Sequence, residues 1–140
     1  CAPLYQLGEI VNKYGNSIKC MRDPTRGGLA TVLDEIAGQA QIGVRVQEAD
    51  IPVSLVVRGA CDMLGMDPLY MANEGKMVIF AAADAAEGIL ADLQSLPQTA
   101  DAAVIGEATS EPEGMVLITT ELGARRILGM LEGEHVPRIC

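Results

Sequence analysis

The sequence predicts an α+β fold of the α/β type, a mixed sheet with helices packed on it. Three observations carry that prediction. Helical and strand-like apolar periods alternate through the first two-thirds of the chain, and strand-like runs dominate the last third. The core-forming residues are aliphatic: hydrophobic residues make up 49% of the chain, with no Trp, one Phe and three Tyr. A chain of 140 residues is one domain by length, and such a domain buries about two-thirds of its unfolded surface, enough to do without a disulfide or metal staple.

The elements follow in order. Pro3 fits the first turn of a helix whose apolar face is Leu4, Leu7, Val11 and Tyr14, with Gly15 as its stop. Ser17 to Met21 reads as a short strand, followed by a turn at Asp23-Pro24-Thr25-Arg26-Gly27-Gly28. The clearest helix comes next, with Leu29, Val32, Leu33, Ile36, Ala37 and Ala40 at helical spacing. Val44 to Gln47 alternates like a strand. Ser54 is an N-cap for a helix burying Val57, Ala60, Cys61 and Leu64 and ending at Gly65. Lys76 to Ala82 reads as a buried strand. Asp84 with Glu87 forms a capping box for a helix striped by Ile89, Leu90 and Leu93. Ala103 to Thr109 and Met115 to Thr120 flank Glu111-Pro112-Glu113-Gly114, whose Pro and Gly suit a type I turn and therefore a hairpin. Arg125 to Met130 adds a strand. Residues 132–140 show no periodicity, so the chain divides into a domain over 1–131 and a tail.

Charge and composition narrow the function. A net charge of −9 repels nucleic acid and anionic lipid, and the scattered acidic residues read as a soluble surface. The few aromatics offer no stacking platform for bases. No apolar stretch approaches a membrane span, and no secretory signal opens the chain. The four cysteines, Cys1, Cys20, Cys61 and Cys140, form no CxxC pair and no cluster with His135, so neither a metal site nor a disulfide framework is expected, and a reducing cytoplasm is. Cys61 falls on an apolar helix face and Cys20 at a strand end, so both read as packed. The chain opens Cys-Ala-Pro without an initial Met, which reads as a piece of something longer.

Three segments can carry chemistry. In Val136-Pro137-Arg138-Ile139-Cys140 the thiol ends the chain, where it cannot easily be core. It is not a prenylation box, which needs three residues after the cysteine. Nine extended residues after Leu131 reach about 30 Å, the geometry of a carrier arm. The terminal carboxylate disfavours thiolate and Arg138 favours it; an incidental terminal Cys is the alternative reading. The Arg22 to Gly28 turn, with two arginines and two glycines before a helix, reads either as an anion site or as a turn in which Asp23 or Thr25 caps the helix. In Asp67-Pro68-Leu69-Tyr70-Met71-Ala72-Asn73-Glu74-Gly75-Lys76, Glu74 is an acid/base candidate at a strand edge, and a plain turn is the alternative.

Arg-Asp-Pro-Thr-Arg-Gly-Gly-Leu-Ala at 22–30, the 67–76 run and the terminal Pro-Arg-Ile-Cys occur together and in this order in the hydrogenase maturation protein HypE family. Essentially the whole chain resembles the C-terminal domain of those proteins. The first motif alone marks only the wider superfamily of aminoimidazole ribonucleotide synthetases, selenophosphate synthetases and thiamine-monophosphate kinases; the terminal Pro-Arg-Ile-Cys narrows it. The resemblance implies that Cys140 accepts a carbamoyl group from the carbamoyltransferase HypF. The S-carboxamide is then dehydrated with ATP to a thiocyanate, whose cyanide passes to iron on a HypC–HypD complex for a [NiFe]-hydrogenase. It implies Glu74 as base, Asp23, Thr25, Arg26, Gly27 and Gly28 on the phosphate side of the cleft, and Pro137, Arg138 and Ile139 as residues that orient the tail. ATP with Mg2+ and the homodimer contact are implied to belong mainly to a preceding N-terminal domain, so the chain alone is expected to fold without hydrolysing ATP. Another superfamily activity with Cys140 incidental, or a non-catalytic interaction module, remain the competing readings.

Overall fold

The computed structural model describes residues 5–130. Pro3 and Leu4 of the first expected helix, Cys1, His135 and the Pro137 to Cys140 segment lie outside the described residues.

The elements run α1 (Leu7–Tyr14), β1 (Ile18–Arg22), α2 (Gly28–Ala40), β2 (Gly43–Gln47), α3 (Leu55–Leu64), β3 (Val78–Ala81), α4 (Ala83–Gln94), β4 (Gly106–Thr109), β5 (Val116–Thr119) and β6 (Arg125–Ile127). A 3-10 turn at Pro68–Tyr70 stands between α3 and β3. The strands form two sheets. One is an antiparallel ribbon of β1 and β3, with Met21 opposite Ile79 and Arg22 opposite Val78. The other has the order β4-β2-β5-β6 and is mixed: β2 is antiparallel to β4 and parallel to β5, and β6 is antiparallel to β5. The expected α+β class with a mixed sheet holds.

Two apolar clusters fill the space between these layers. Ala30, Leu33 and Ala37 of α2 meet Val44, Val46, Val116, Ile118 and Leu128 of the four-stranded sheet. Leu7 and Ile10 of α1 meet Ile89 and Leu93 of α4. The β1–β3 ribbon separates them. Because side chains alternate along a strand, Val78 and Phe80 pack on the first cluster while Met77, Ile79 and Ala81 pack on the second. The strand expected at 76–82 is thus shorter and half-buried rather than buried, since each face is covered by one cluster only in part.

The expected hairpin of 103–109 with 115–120 does not form, because β2 lies between β4 and β5. Val44 and Val46 are almost fully buried, and a central strand satisfies the backbone groups on both its edges, which an edge strand cannot do in a dry core. The connection from β4 to β5 crosses the start of β2 instead. Gly114 N–H donates to the Ile42 carbonyl at 3.0 Å and Val44 N–H to the Met115 carbonyl at 2.9 Å. Gly43 makes the crossing feasible, since a Cβ there would stand 2.6 Å from Thr109 Oγ1 and 2.8 Å from the Glu111 carbonyl. The turn closes from Met115 N–H to the Pro112 carbonyl, one residue later than expected.

Three helices differ in detail from expectation. In α1 the buried pair is Leu7 and Ile10, and Val11 is exposed. α4 has no capping box: its N-cap is Ala82, and Asp84 sits inside the first turn. Ala82 N–H is already committed to the Ser17 carbonyl at 2.8 Å, so the ribbon runs directly into the helix. Asp84 then acts through the helix dipole rather than as a cap. α3 has the expected ends, with Ser54 Oγ accepting from Val57 N–H and Gly65 in the left-handed conformation. Its expected buried face reduces to Cys61, however. Leu55, Val56, Met63 and Leu64 are all more than two-thirds exposed, so the apolar residues that dominate this helix point outward. Cys20 is half-buried.

α1 and α4 are joined at the surface by Lys13 Nζ and Asp92 Oδ2, 2.6 Å apart. The hydrogen bond from Lys13 holds the Asp92 carboxyl below its ordinary 3.8. The reciprocal bond raises Lys13 above 10.5. A depressed carboxyl stabilises the fold above its unfolded pKa and loses that contribution as pH falls through the folded value; a raised amine does the reverse. Asp92→Asn is therefore expected to lower the thermal midpoint slightly at neutral pH. Melting curves of the two proteins should converge in acid below the depressed Asp92 value and again in strong alkali.

Candidate functional site

β1 delivers the first motif. It ends at Arg22, whose Nη2 pairs with Glu35 Oε2 of α2 at 2.8 Å. Pro24 is buried beneath the turn. The Thr25 hydroxyl donates to Asp23 Oδ2. That bond, then the backbone N–H of Asp23 and the Arg22 charge, hold the Asp23 carboxyl below the ordinary carboxylate range. Neither Asp23 nor Thr25 caps α2: Gly27 is the N-cap residue and no side chain bonds there. The first turn of α2 thus opens next to Arg26, which is exposed. Gly27 and Gly28 both adopt positive φ, 66° and 67°. At Gly28 a Cβ would strike the Leu69 carbonyl and stand 2.7 Å from the Met71 carbonyl. The second glycine is there because the second motif passes directly over it.

That second motif is well anchored. Asp67 Oδ1 accepts from Leu69 N–H at 2.9 Å and so caps the 3-10 turn. Leu69 is buried in the first cluster. Asn73 N–H donates to the Pro24 carbonyl at 3.0 Å, its amide donates to the Met71 carbonyl at 2.7 Å, and Lys76 Nζ donates to its Oδ1 at 3.0 Å. Glu74 follows in this braced loop and is exposed, with no ion-pair partner among the described residues. A carboxylate carried on a fixed backbone, facing solvent, can take a proton from a substrate brought to it.

The same loop also holds the approach to the chain's end. Arg126 Nη2 donates to Asp67 Oδ2 at 2.8 Å, and the Tyr70 hydroxyl donates to the Gly129 carbonyl at 2.9 Å. So the Asp23 to Gly28 turn, the 67–76 loop and the last described strand meet in one place. Cys140, Pro137, Arg138 and Ile139 themselves lie outside the described residues. Sequence reasoning missed Arg126 and the part played by Tyr70. Asp67 before Pro68 carries a turn-capping signal, but nothing local marks a contact across 59 residues. Among the described residues no group of three His, Cys, Asp or Glu side chains could hold a metal ion, and no helix is long and apolar enough to cross a membrane.

Residues 2–119 match the family described as AIR synthase related protein, C-terminal domain. The carbamoyl dehydratase HypE of Bradyrhizobium diazoefficiens is 46% identical over 140 residues, which cover 99% of this chain and 40% of that protein. A crystal structure of the hydrogenase maturation protein HypE in complex with ATP superposes with a TM-score of 0.87 at 43% identity, over 94% of this chain and 41% of the other. A structure of a HypE–HypF complex gives a TM-score of 0.86 at 40% identity, over 93% and 42%. The chain therefore spans about two-fifths of the length of the proteins it matches.

Proposed function

We propose, from the premise that this chain belongs to the AIR synthase related C-terminal-domain family and to its HypE members, that it is the part of a carbamoyl dehydratase that carries the substrate and the base. The observation that carries the reading is the meeting of the Asp23–Gly28 turn, the Glu74 loop and the root of the tail that ends in Cys140. Proteins related to this one include a HypE solved with HypF and a HypE solved with ATP. HypF is accordingly the donor of the carbamoyl group to Cys140 Sγ, and ATP the dehydrating reagent.

The chemistry balances with these parts. ATP supplies a phosphoryl group that turns the carboxamide oxygen of the Cys140 adduct into a leaving group. One N–H proton leaves to solvent as the oxygen is phosphorylated and ADP departs, and the second leaves as the C–O bond breaks and C≡N forms on sulfur. Glu74 receives that second proton, phosphate departs with the oxygen, and the net loss from the carboxamide is one water. Arg26, exposed just before α2, stands on the side where phosphate charge develops, with Asp23, Thr25, Gly27 and Gly28 setting the shape of that turn. Pro137, Arg138 and Ile139 orient the tail.

The remaining assignments belong to the longer protein. ATP with its Mg2+ is assigned mainly to a preceding domain of the longer protein, and the dimer contact with it, so the 140 residues alone are expected to fold without hydrolysing ATP. The cyanide is taken by iron on a HypC–HypD complex, and the setting is the cytoplasm, in keeping with the free thiols of Cys20 and Cys61. The test is intact-mass spectrometry of the full-length protein incubated with the carbamoyltransferase, carbamoyl phosphate and ATP. The expected result is a gain of one carbamoyl group on Cys140, followed by loss of one water. Absence of any adduct on Cys140 would sink the reading.

A further inference from the structure

β6 does not simply end. Leu128 is fully buried, and its N–H donates to the Val116 carbonyl at 2.8 Å. One residue on, the Gly129 carbonyl is taken by the Tyr70 hydroxyl at 2.9 Å. Three residues back, Arg126 is held by Asp67 at 2.8 Å. Met130, the last described residue, is largely exposed. Both side-chain bonds go to the 3-10 turn at 67–70, and that turn leads within four residues to Glu74. Four residues span at most about 14 Å, whereas the eleven residues from Met130 to Cys140 span up to about 36 Å. The tail is longer than the journey needs. With reach to spare, the point at which the tail is anchored sets the gap that the thiol must close to meet Glu74.

We infer that Tyr70, together with the Asp67–Arg126 pair, is a clamp on the root of the tail that aims Cys140 at the Glu74 loop. These are positioning residues, acting through the backbone at 126–129 and touching neither substrate nor ATP. The inference rests on the reading of Cys140 as the carrier. The bonds also stabilise the fold, so the test must separate aim from stability.

Tyr70→Phe and Arg126→Gln are made in the full-length protein, with Arg126→Lys as the conservative variant. Hydrogen exchange at the Leu128 amide, which donates to the Val116 carbonyl one residue before the clamped Gly129, reports on the clamp itself and is expected to quicken in Tyr70→Phe. Single-turnover conversion of the Cys140 S-carboxamide to thiocyanate, followed by intact mass, reports on aim. Loss of one such bond is expected to slow it about three- to tenfold, with the KM for ATP unchanged. Tyr70→Phe combined with Arg126→Gln should slow it by less than the product of the single effects, because both bonds hold one segment. Arg126→Lys should recover most of the rate.

Unchanged exchange would show that no clamp exists. Faster exchange with an unchanged single-turnover rate would show that the clamp does not aim the tail. A fall in rate matched by a fall in melting temperature and a rise in the KM for ATP would assign these bonds to stability alone. If the wild type forms no adduct on Cys140, the carrier reading fails and the aiming role with it, while the exchange measurement still decides whether the root is clamped.

Discussion

Replacing Glu74 by Gln in the full-length protein is expected to let Cys140 accept its carbamoyl group and then stop. The carboxamide would accumulate, because Gln keeps the size of the side chain while losing the basic carboxylate that takes the proton. Removal of a positioned general base costs about 10²- to 10⁴-fold in rate, so dehydration should fall by that factor while carbamoylation stays near wild type. The fold should tolerate the change. Glu74 is exposed, and the loop around it is held by Asn73, Asp67 and Leu69 rather than by Glu74 itself. Intact mass resolves the two stages, since the carboxamide and the thiocyanate differ by one water. Cys140→Ala should differ in kind, forming no adduct at all. Dehydration by Glu74→Gln at the wild-type rate would remove Glu74 from the chemistry and leave the base to another residue.

The amino-acid sequence makes some of these features legible and hides others, and the division follows how local each one is. Ser54 and Gly65 are readable as the ends of α3 because caps are local: a hydroxyl three residues before an N–H, and a glycine where φ must be positive. The face of α3 is not readable. Leu55, Val56, Met63 and Leu64 make most of its circumference apolar, so the pattern does not say which side packs, and only Cys61 is buried. The expected hairpin fails for a related reason. Turn chemistry at Pro112 and Gly114 is local, but the insertion of β2 between β4 and β5 is a choice among strand partners, made by the burial of Val44 and Val46. The site divides along the same line. Asp23 to Gly28 and Glu74 stand out as motifs. That they lie against each other, joined by Asn73 N–H to the Pro24 carbonyl, depends on a fold that brings residues far apart in sequence into contact. Arg126 has no local signal of any kind.

The glycine at that junction gives the largest expected effect on stability. Gly28 and Gly65 have nearly the same backbone, φ 67° and 66°, but different surroundings. Around Gly65 a Cβ would meet nothing within 4 Å. Around Gly28 it would meet the Leu69 carbonyl, Met71 O at 2.7 Å and the Tyr70 carbonyl carbon at 2.8 Å. Gly65→Ala should therefore cost only the left-handed backbone, about 1 kcal/mol. Gly28→Ala should cost that and the displacement of a backbone that cannot easily give way. Leu69 is 3% exposed, Asp67 caps the turn, and Tyr70 and Asn73 are each bonded to other segments. Steric conflict in a packed region of this kind brings the total to about 3 kcal/mol, roughly a 10 °C drop in the thermal midpoint for a domain of this size. Circular-dichroism melts of the two variants isolate the contact, because the backbone cost is common to both and cancels in their difference. Equal midpoints would mean that the 67–76 loop yields freely. In that case Glu74 is not held in place over the Asp23–Gly28 turn, and the assignment of these two segments to one site loses its structural basis.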